Sequence, residues 1–224
     1  TLFAAPRPRR RSGWRVAVLS GLGGECGRVA DIADRAGVDL PPLSPSSVEA
    51  IARFMPDFAN PRNPLDGTGA MYENATLFPR LLDVLLRDEA TDVVAVNLRA
   101  NVPRPGGWAP TRPFSAAIKE AVQAGTDRLV VCFGSFAGGD LDQEVVRTLA
   151  EAGVPFLESS ETAMMALRHA REHQRILETR GHAGSSRAAP VHHATLSPDA
   201  RGVLGHVEAM RLLQAFGIPL AETV

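Results

Sequence analysis

The stretch SGLGGECG, residues 20–27, gathers residue types that can handle an anion. Gly21, Gly23, Gly24 and Gly27 let the backbone approach a ligand closely and turn free N–H groups toward it. Ser20 adds a hydroxyl, Glu25 a carboxylate and Cys26 a thiol. If a helix follows, its first N–H groups and its dipole both favour a phosphoryl group. Glu25 works against that. A carboxylate there repels phosphate unless it points away or acts on a proton, and its commoner use is to cap the helix. Cys26 is either a thiol of lowered pKa or a small packing residue.

A second cluster lies in NPRNPLDGTG, residues 60–69. Asn63 and Pro64 make a turn, and Asp66 ahead of Gly67 and Thr68 can order it. Ligand contact would come in addition to that turn-forming role. Arg99, Arg104, Arg112 and Trp108 decorate a long Pro/Gly loop and suit a carboxylate, a phosphate or a neighbouring domain. No metal site is expected. His169 and His173 stand four apart without a third ligand, His192 and His193 lack spaced partners, and Cys26 and Cys132 form neither a disulfide framework nor a zinc set.

These residues need elements to position them. Val16, Val18 and Leu19 belong to a buried strand, and Val29, Ile32, Ala33 and Ala36 recur at helical spacing before Gly37. VDLPPLS is expected to be a short second strand. A helix through Phe54 follows, capped by Ser46 or Ser47. Leu77, Phe78, Leu81, Leu82, Leu85 and Leu86 form one helical stripe, with Thr76 as cap. TDVVAVNL, RLVVCFGSF and GVPFL read as further strands. Helices are expected over 114–124, from about 140 to 152, and from Ser160 onward. Strand and helix alternate about five times, and the strands are continuously apolar. That pattern predicts an α/β fold: a flavodoxin-like, doubly wound parallel sheet of about five strands with helices on both faces. Ligands of such folds bind beyond the carboxyl ends of the strands, where the glycine turn at 21–27 and the loops near 63–69, 98–113 and 134–139 are expected to fall.

The chain has 224 residues and is 45% hydrophobic, so a normal core is expected. With 24 basic and 25 acidic residues the net charge is -1, which argues against general nucleic-acid or membrane binding. No apolar run approaches a membrane span. A reducing, cytoplasmic setting is the expectation. Residues 1–14 and 179–202 read as linkers around a domain at 15–178, and 203–224 as the beginning of a further domain.

The order and spacing of these segments resemble the NDP-forming (ADP-forming) acyl-CoA synthetases, relatives of succinyl-CoA synthetase. GWRVAVLSGLGGECGRVADIADRAGVDL is similar to the start of that family's second flavodoxin-like ligase domain. NPRNPLDGTG is similar to its Asn-Pro-(Val/Leu)-Asp loop, and AGVPFLESSETAMMALRHAREHQR to its last strand and helix. HVEAMRLLQAFGIPLAE looks like the opening helix of its ATP-grasp domain. The resemblance implies an acid–thiol ligase that makes acyl-CoA from a carboxylic acid, CoA and ATP. It works through acyl-phosphate and phosphohistidine intermediates, with ATP/ADP, CoA and Mg2+ engaged in the whole enzyme rather than held firmly here. It also implies that Ser20, Gly21, Gly23, Gly24, Glu25, Cys26 and Gly27 meet the phosphoryl group. Asn63, Pro64, Asp66 and Gly67 would form the active-site loop, and CoA-binding and ATP-grasp domains would be partners. The phosphohistidine is expected outside this chain. GHAG at 181–184 matches the family's tetrad in letters, but His182 is expected to follow the final helix rather than to lie between the fourth strand and its helix. Two other readings stand beside this one. A non-catalytic regulatory or docking module of the same descent is favoured by Glu25, and a true flavodoxin is poorly served by the few aromatic residues, Tyr72, Trp14 and Trp108.

Overall fold

A computed structural model describes residues 13–100, 111–182 (side chains through 179), 202–216 and 218. Residues up to 174 form one compact unit and those from 175 a second. The first unit runs β1 (Val16–Ser20), α1 (Gly23–Ala36), α2 (Pro45–Ala52), β2 (Leu65–Asp66), α3 (Ala70–Glu73), α4 (Leu77–Arg87), β3 (Val93–Asn97), α5 (Thr111–Gln123), β4 (Leu129–Phe133), α6 (Gln143–Glu151), β5 (Phe156–Leu157) and most of α7 (Ser160–His182). All strand pairs are parallel, in the order β2-β1-β3-β4-β5. That is the flavodoxin-like order, whose switch point lies between β1 and β3.

The strands are buried on both sides because successive side chains point to opposite faces. Val16, Val18, Val93, Ala95, Val131 and Phe133 pack with α1 and α7 residues such as Val29, Ile32, Met164 and Leu167. Ala17, Leu19, Val94, Val96, Val130 and Cys132 pack on the other face with Ile51, Phe78, Leu81, Ile118 and Leu149, from α2, α4, α5 and α6. Helices therefore cover both faces, as the alternation of apolar runs requires.

Several boundaries differ from expectation. VDLPPLS forms no strand; the second strand is β2, inside the Asn/Pro/Gly loop. Asn63 explains this. Its Oδ1 accepts from the Val18 N–H at 2.9 Å, and its Nδ2 donates to the Val16 and Pro41 carbonyls at 2.7 and 2.9 Å. One amide side chain thus supplies the edge bonds that a longer strand's backbone would make to β1. Ser44, rather than Ser46 or Ser47, caps α2 and accepts from the Ser47 N–H. Thr76 gives α4 no side-chain cap. Helix α7 runs on to His182, past the expected boundary at 178. Of the long-loop residues, Arg104 and Trp108 lie outside the described residues, as do the first twelve residues and 183–201.

In the second unit α8 (His206–Ala215) is a helix without a buried residue.

Candidate active site at the β1–α1 turn

The turn between β1 and α1 is shorter than its glycines suggest. Helix α1 already begins at Gly23, with Leu22 as an N-cap that offers no side-chain hydrogen bond. Ser20 is fully buried, and its Oγ takes the Leu22 N–H at 3.2 Å. The N–H groups of Glu25 and Cys26 both return to the Leu22 carbonyl, at 3.0 and 3.1 Å. The N–H groups of Gly21, Gly23 and Gly24 have no hydrogen-bond partner among the described residues. A helix end left open in this way has its dipole and donors aimed at whatever occupies the space beyond it.

Two cavities flank that end. The larger, about 740 Å³, brings Gly21, Gly23, Cys26 and Gly27 together with Asn63, Pro64 and Asp66 of the loop, and has Phe58 and Arg62 on its wall. The smaller, about 580 Å³, is lined by Gly23, Gly24, Glu25, Arg28, Arg99 and Phe136, among others. Gly67 lines neither; its N–H pairs with the Ser20 carbonyl at 2.7 Å, and a Cβ there would meet Met71. Tyr72 stacks on Phe114, with ring centroids 5.8 Å apart, and fills the space where a Cβ on Gly21 would go. A Cβ on Gly23 would lie 2.7 Å from Asp66 Oδ2, whereas one on Gly24 would meet nothing within 4 Å.

Asp66 orders its own loop: Oδ1 accepts from the Thr68 N–H at 2.8 Å, with Thr68 held at φ 56°. Glu25 does not cap α1. Its carboxylate is turned to Arg28 and to the Ser160 hydroxyl at the start of α7, 2.6 Å away. Cys26 is a packing residue: burial first, then the charges of Asp66 and Glu25, push its thiol up to about 12. Burial likewise pushes Cys132 up. Arg112 is bonded to Asp142 at 2.7 Å and belongs to the α5–α6 packing, away from both cavities. Arg62 and Arg99 are exposed, and neither has an ion-pair partner among the described residues.

Pattern reading passed over Arg28, Phe58, Arg62, Asn97 and Phe136. Arg28 carried a signal, because it stands three residues after an acid in the same helix. Asn97, where β3 ends, joins the Ser20 hydroxyl at 3.4 Å to Ser135 at 3.2 Å across the switch point, a pairing that only the fold creates.

No protein-family model matches the chain. It is 29% identical over 164 residues to trans-feruloyl-CoA synthase FCS1 of an unknown prokaryotic organism, covering 73% of this chain and 22% of that protein. It is 26% identical over 165 residues to the alpha subunit of acetate–CoA ligase [ADP-forming] II of Pyrococcus furiosus, covering 73% of this chain and 34% of that one. Among solved structures, the apo dinucleotide-forming acetyl-coenzyme A synthetase 1 of Ca. Korarchaeum cryptofilum shares the fold, with a TM-score of 0.62, 22% identity, 80% of this chain and 37% of that chain covered. The chain thus resembles CoA ligases of the ADP-forming type, and it spans between about a fifth and a third of the length of the curated relatives it matches.

Proposed function

We propose that the chain is the second flavodoxin-like ligase domain of an ADP-forming acyl-CoA synthetase. In that reading the phosphoryl group of ATP passes through a histidine outside this chain to a carboxylic acid. The CoA thiol then takes the acyl group and releases phosphate. This domain supplies the open end of α1 as a resting place for the phosphoryl group, and the loop at Asn63–Gly67 as one wall of the site. Other domains or subunits of the same synthetase would bind CoA, ATP and Mg2+ and close over it.

One observation carries the reading. Among the described residues the N–H groups of Gly21, Gly23 and Gly24 have no partner; they lie at the carboxyl edge of the sheet, beside its switch point and between two cavities, one with Arg62 and the other with Arg99, for which the described residues hold no ion-pair partner. Holding a phosphoryl group there needs no side-chain base; it is preorganised electrostatics. The main ground for a purely regulatory module was the Glu25 charge, and that charge is ion-paired rather than free.

The test uses the full-length parent protein with ATP, magnesium, CoA and a panel of carboxylic acids, aromatic ones included because a feruloyl-CoA synthase is among the relatives. ADP, phosphate and acyl-CoA formed in an acid-dependent way are the expected products. AMP with pyrophosphate, or no nucleotide product with any acid, would count against the proposal.

A further inference from the structure

Glu25 poses a problem that its surroundings resolve. It sits in the first turn of α1, is 7% exposed, and lines the same cavity as Gly23 and Gly24. A lone carboxylate there would repel any anion drawn to the open N–H groups. Arg28 answers it. Nε and Nη2 donate to the two Glu25 oxygens at 3.2 and 3.1 Å, while Nη1 reaches Glu161 at 2.6 Å. Nη2 also meets the Ser160 hydroxyl at 2.7 Å and the Ser135 carbonyl, and the guanidinium lies 4.7 Å from the Phe136 ring centroid. The Ser160 hydroxyl in turn donates to Glu25. The Glu25 carboxylate is thereby paired with a cation that it shares with Glu161, and is turned toward α7.

We propose that Arg28 is a positioning residue that makes the α1 end acceptable to a phosphate-type anion by pairing Glu25 and holding it aside, leaving Arg99, which has no ion-pair partner among the described residues, to meet that anion. This rests on the phosphoryl reading above. Arg28 does not itself touch the anion. Its Nε, Nη1 and Nη2 all bond protein groups, Glu25, Glu161, Ser160 and Ser135, a task that suits the planar guanidinium fork and not an ammonium. A different role is a plain clip that ties α1 to the β4–α6 loop and to α7. The two roles part company in the double variant. Under charge cancellation, removing Arg28 alone leaves Glu25 and Glu161 both uncompensated, and removing Glu25 together with Arg28 restores the wild-type net charge of the cluster. Under the clip, the double variant does no better than the single.

The experiment measures binding of inorganic phosphate to the full chain by titration calorimetry, with melting temperature recorded for each protein. The wild type is expected to bind, and Arg28→Gln to bind about tenfold more weakly or worse, as one uncancelled charge at short range requires. Glu25→Gln/Arg28→Gln should return close to the wild type, and Arg99→Gln should weaken binding without moving the melting temperature. Glu25→Gln alone should bind phosphate more tightly than the wild type, which keeps the test decisive should Arg28→Gln not fold. Wild-type binding unchanged in Arg28→Gln, or a folded double variant no better than that single variant, would overturn the inference and leave the phosphoryl reading standing. No phosphate binding by the wild type would overturn both.

Discussion

At the α1 end the same side chain changes meaning with its neighbours. Asp66 gives Oδ1 to the Thr68 N–H, and its Oδ2 lies where a Cβ on Gly23 would go, so its loop and the helix start are fitted to one another. Gly24, one residue on, faces open space. Gly24→Ala is therefore expected to fold normally and to gain up to about 1 kcal/mol, since alanine loses less backbone entropy in a helix. Gly23→Ala must displace Asp66 and should cost about 1–3 kcal/mol. Urea midpoints for the two variants check both signs, and a Gly24→Ala loss as large as that of Gly23→Ala would contradict the geometry. Cys26 yields a chemical prediction. With its thiol held up to about 12 and the site buried, neither Cys26 nor Cys132 should react quickly with a thiol-specific disulfide reagent in the folded chain at about pH 8. Both should react on unfolding. A fast stoichiometric reaction at Cys26 in the native protein would show that it is an activated nucleophile after all.

At the scale of elements, what pattern could reach was the sheet's middle. β1, β3 and β4 are five-residue, nearly all-apolar runs buried on both faces, and their shortness and β-branched content suit parallel strands. What it could not reach depended on distant partners. The second strand was misplaced because β2 has two residues, and the rest of β1's edge is satisfied by the Asn63 side chain. The α2 cap moved to Ser44 because Asp88 holds that residue from 44 positions away, accepting its N–H at 2.9 Å and its hydroxyl at 3.1 Å. The candidate site shows the same division: its glycines and its loop were visible as local motifs, but the Glu25–Arg28–Ser160 arrangement needs α7 folded against α1. Asn63→Ala should cost about 2–4 kcal/mol, because it strands the Val18 N–H and the Val16 carbonyl at the edge of the central sheet. Asn63→Asp should not rescue it, since a carboxylate cannot donate to the Val16 and Pro41 carbonyls. Denaturant unfolding of the two variants decides this. Asp88 adds a pH dependence. Burial alone would raise its pKa, but hydrogen bonds from Ser47, Ser44 and Ala90 outweigh burial and hold it below the usual carboxylate range. The unfolded chain then takes up the proton first as pH falls. Asp88's contribution is complete above about pH 4 and is lost as pH drops from there through the folded pKa. Asp88→Asn should be less stable than the wild type at neutral pH, with a gap that narrows in acid; a constant gap would mean that the carboxylate's charge is irrelevant.

At the scale of the molecule, the two core clusters draw their buried residues from between Val16 and Ala170. Trp14 closes the first unit by donating to Gln174 at 3.0 Å. The second unit offers a contrast: α8 buries no residue, while Val207, Phe216 and Ile218 are 59%, 54% and 46% exposed. A ten-residue helix has little stability in water without a packed face, so α8 is marginal on its own. Shortening the chain to residues 13–178 should therefore leave the melting temperature within about 2–4 °C of the full chain, a shift that corresponds to no more than about 1 kcal/mol for a domain of this size. Tryptophan fluorescence, with Trp14 still held by Gln174, can follow the transition in both proteins. The same comparison separates the site from the rest of the molecule. The helix end, both cavities and the Arg28 cluster all lie before residue 162, so phosphate affinity should survive the truncation. A truncated protein that melts far lower, or that loses phosphate binding while melting normally, would show that residues beyond 178 support the site.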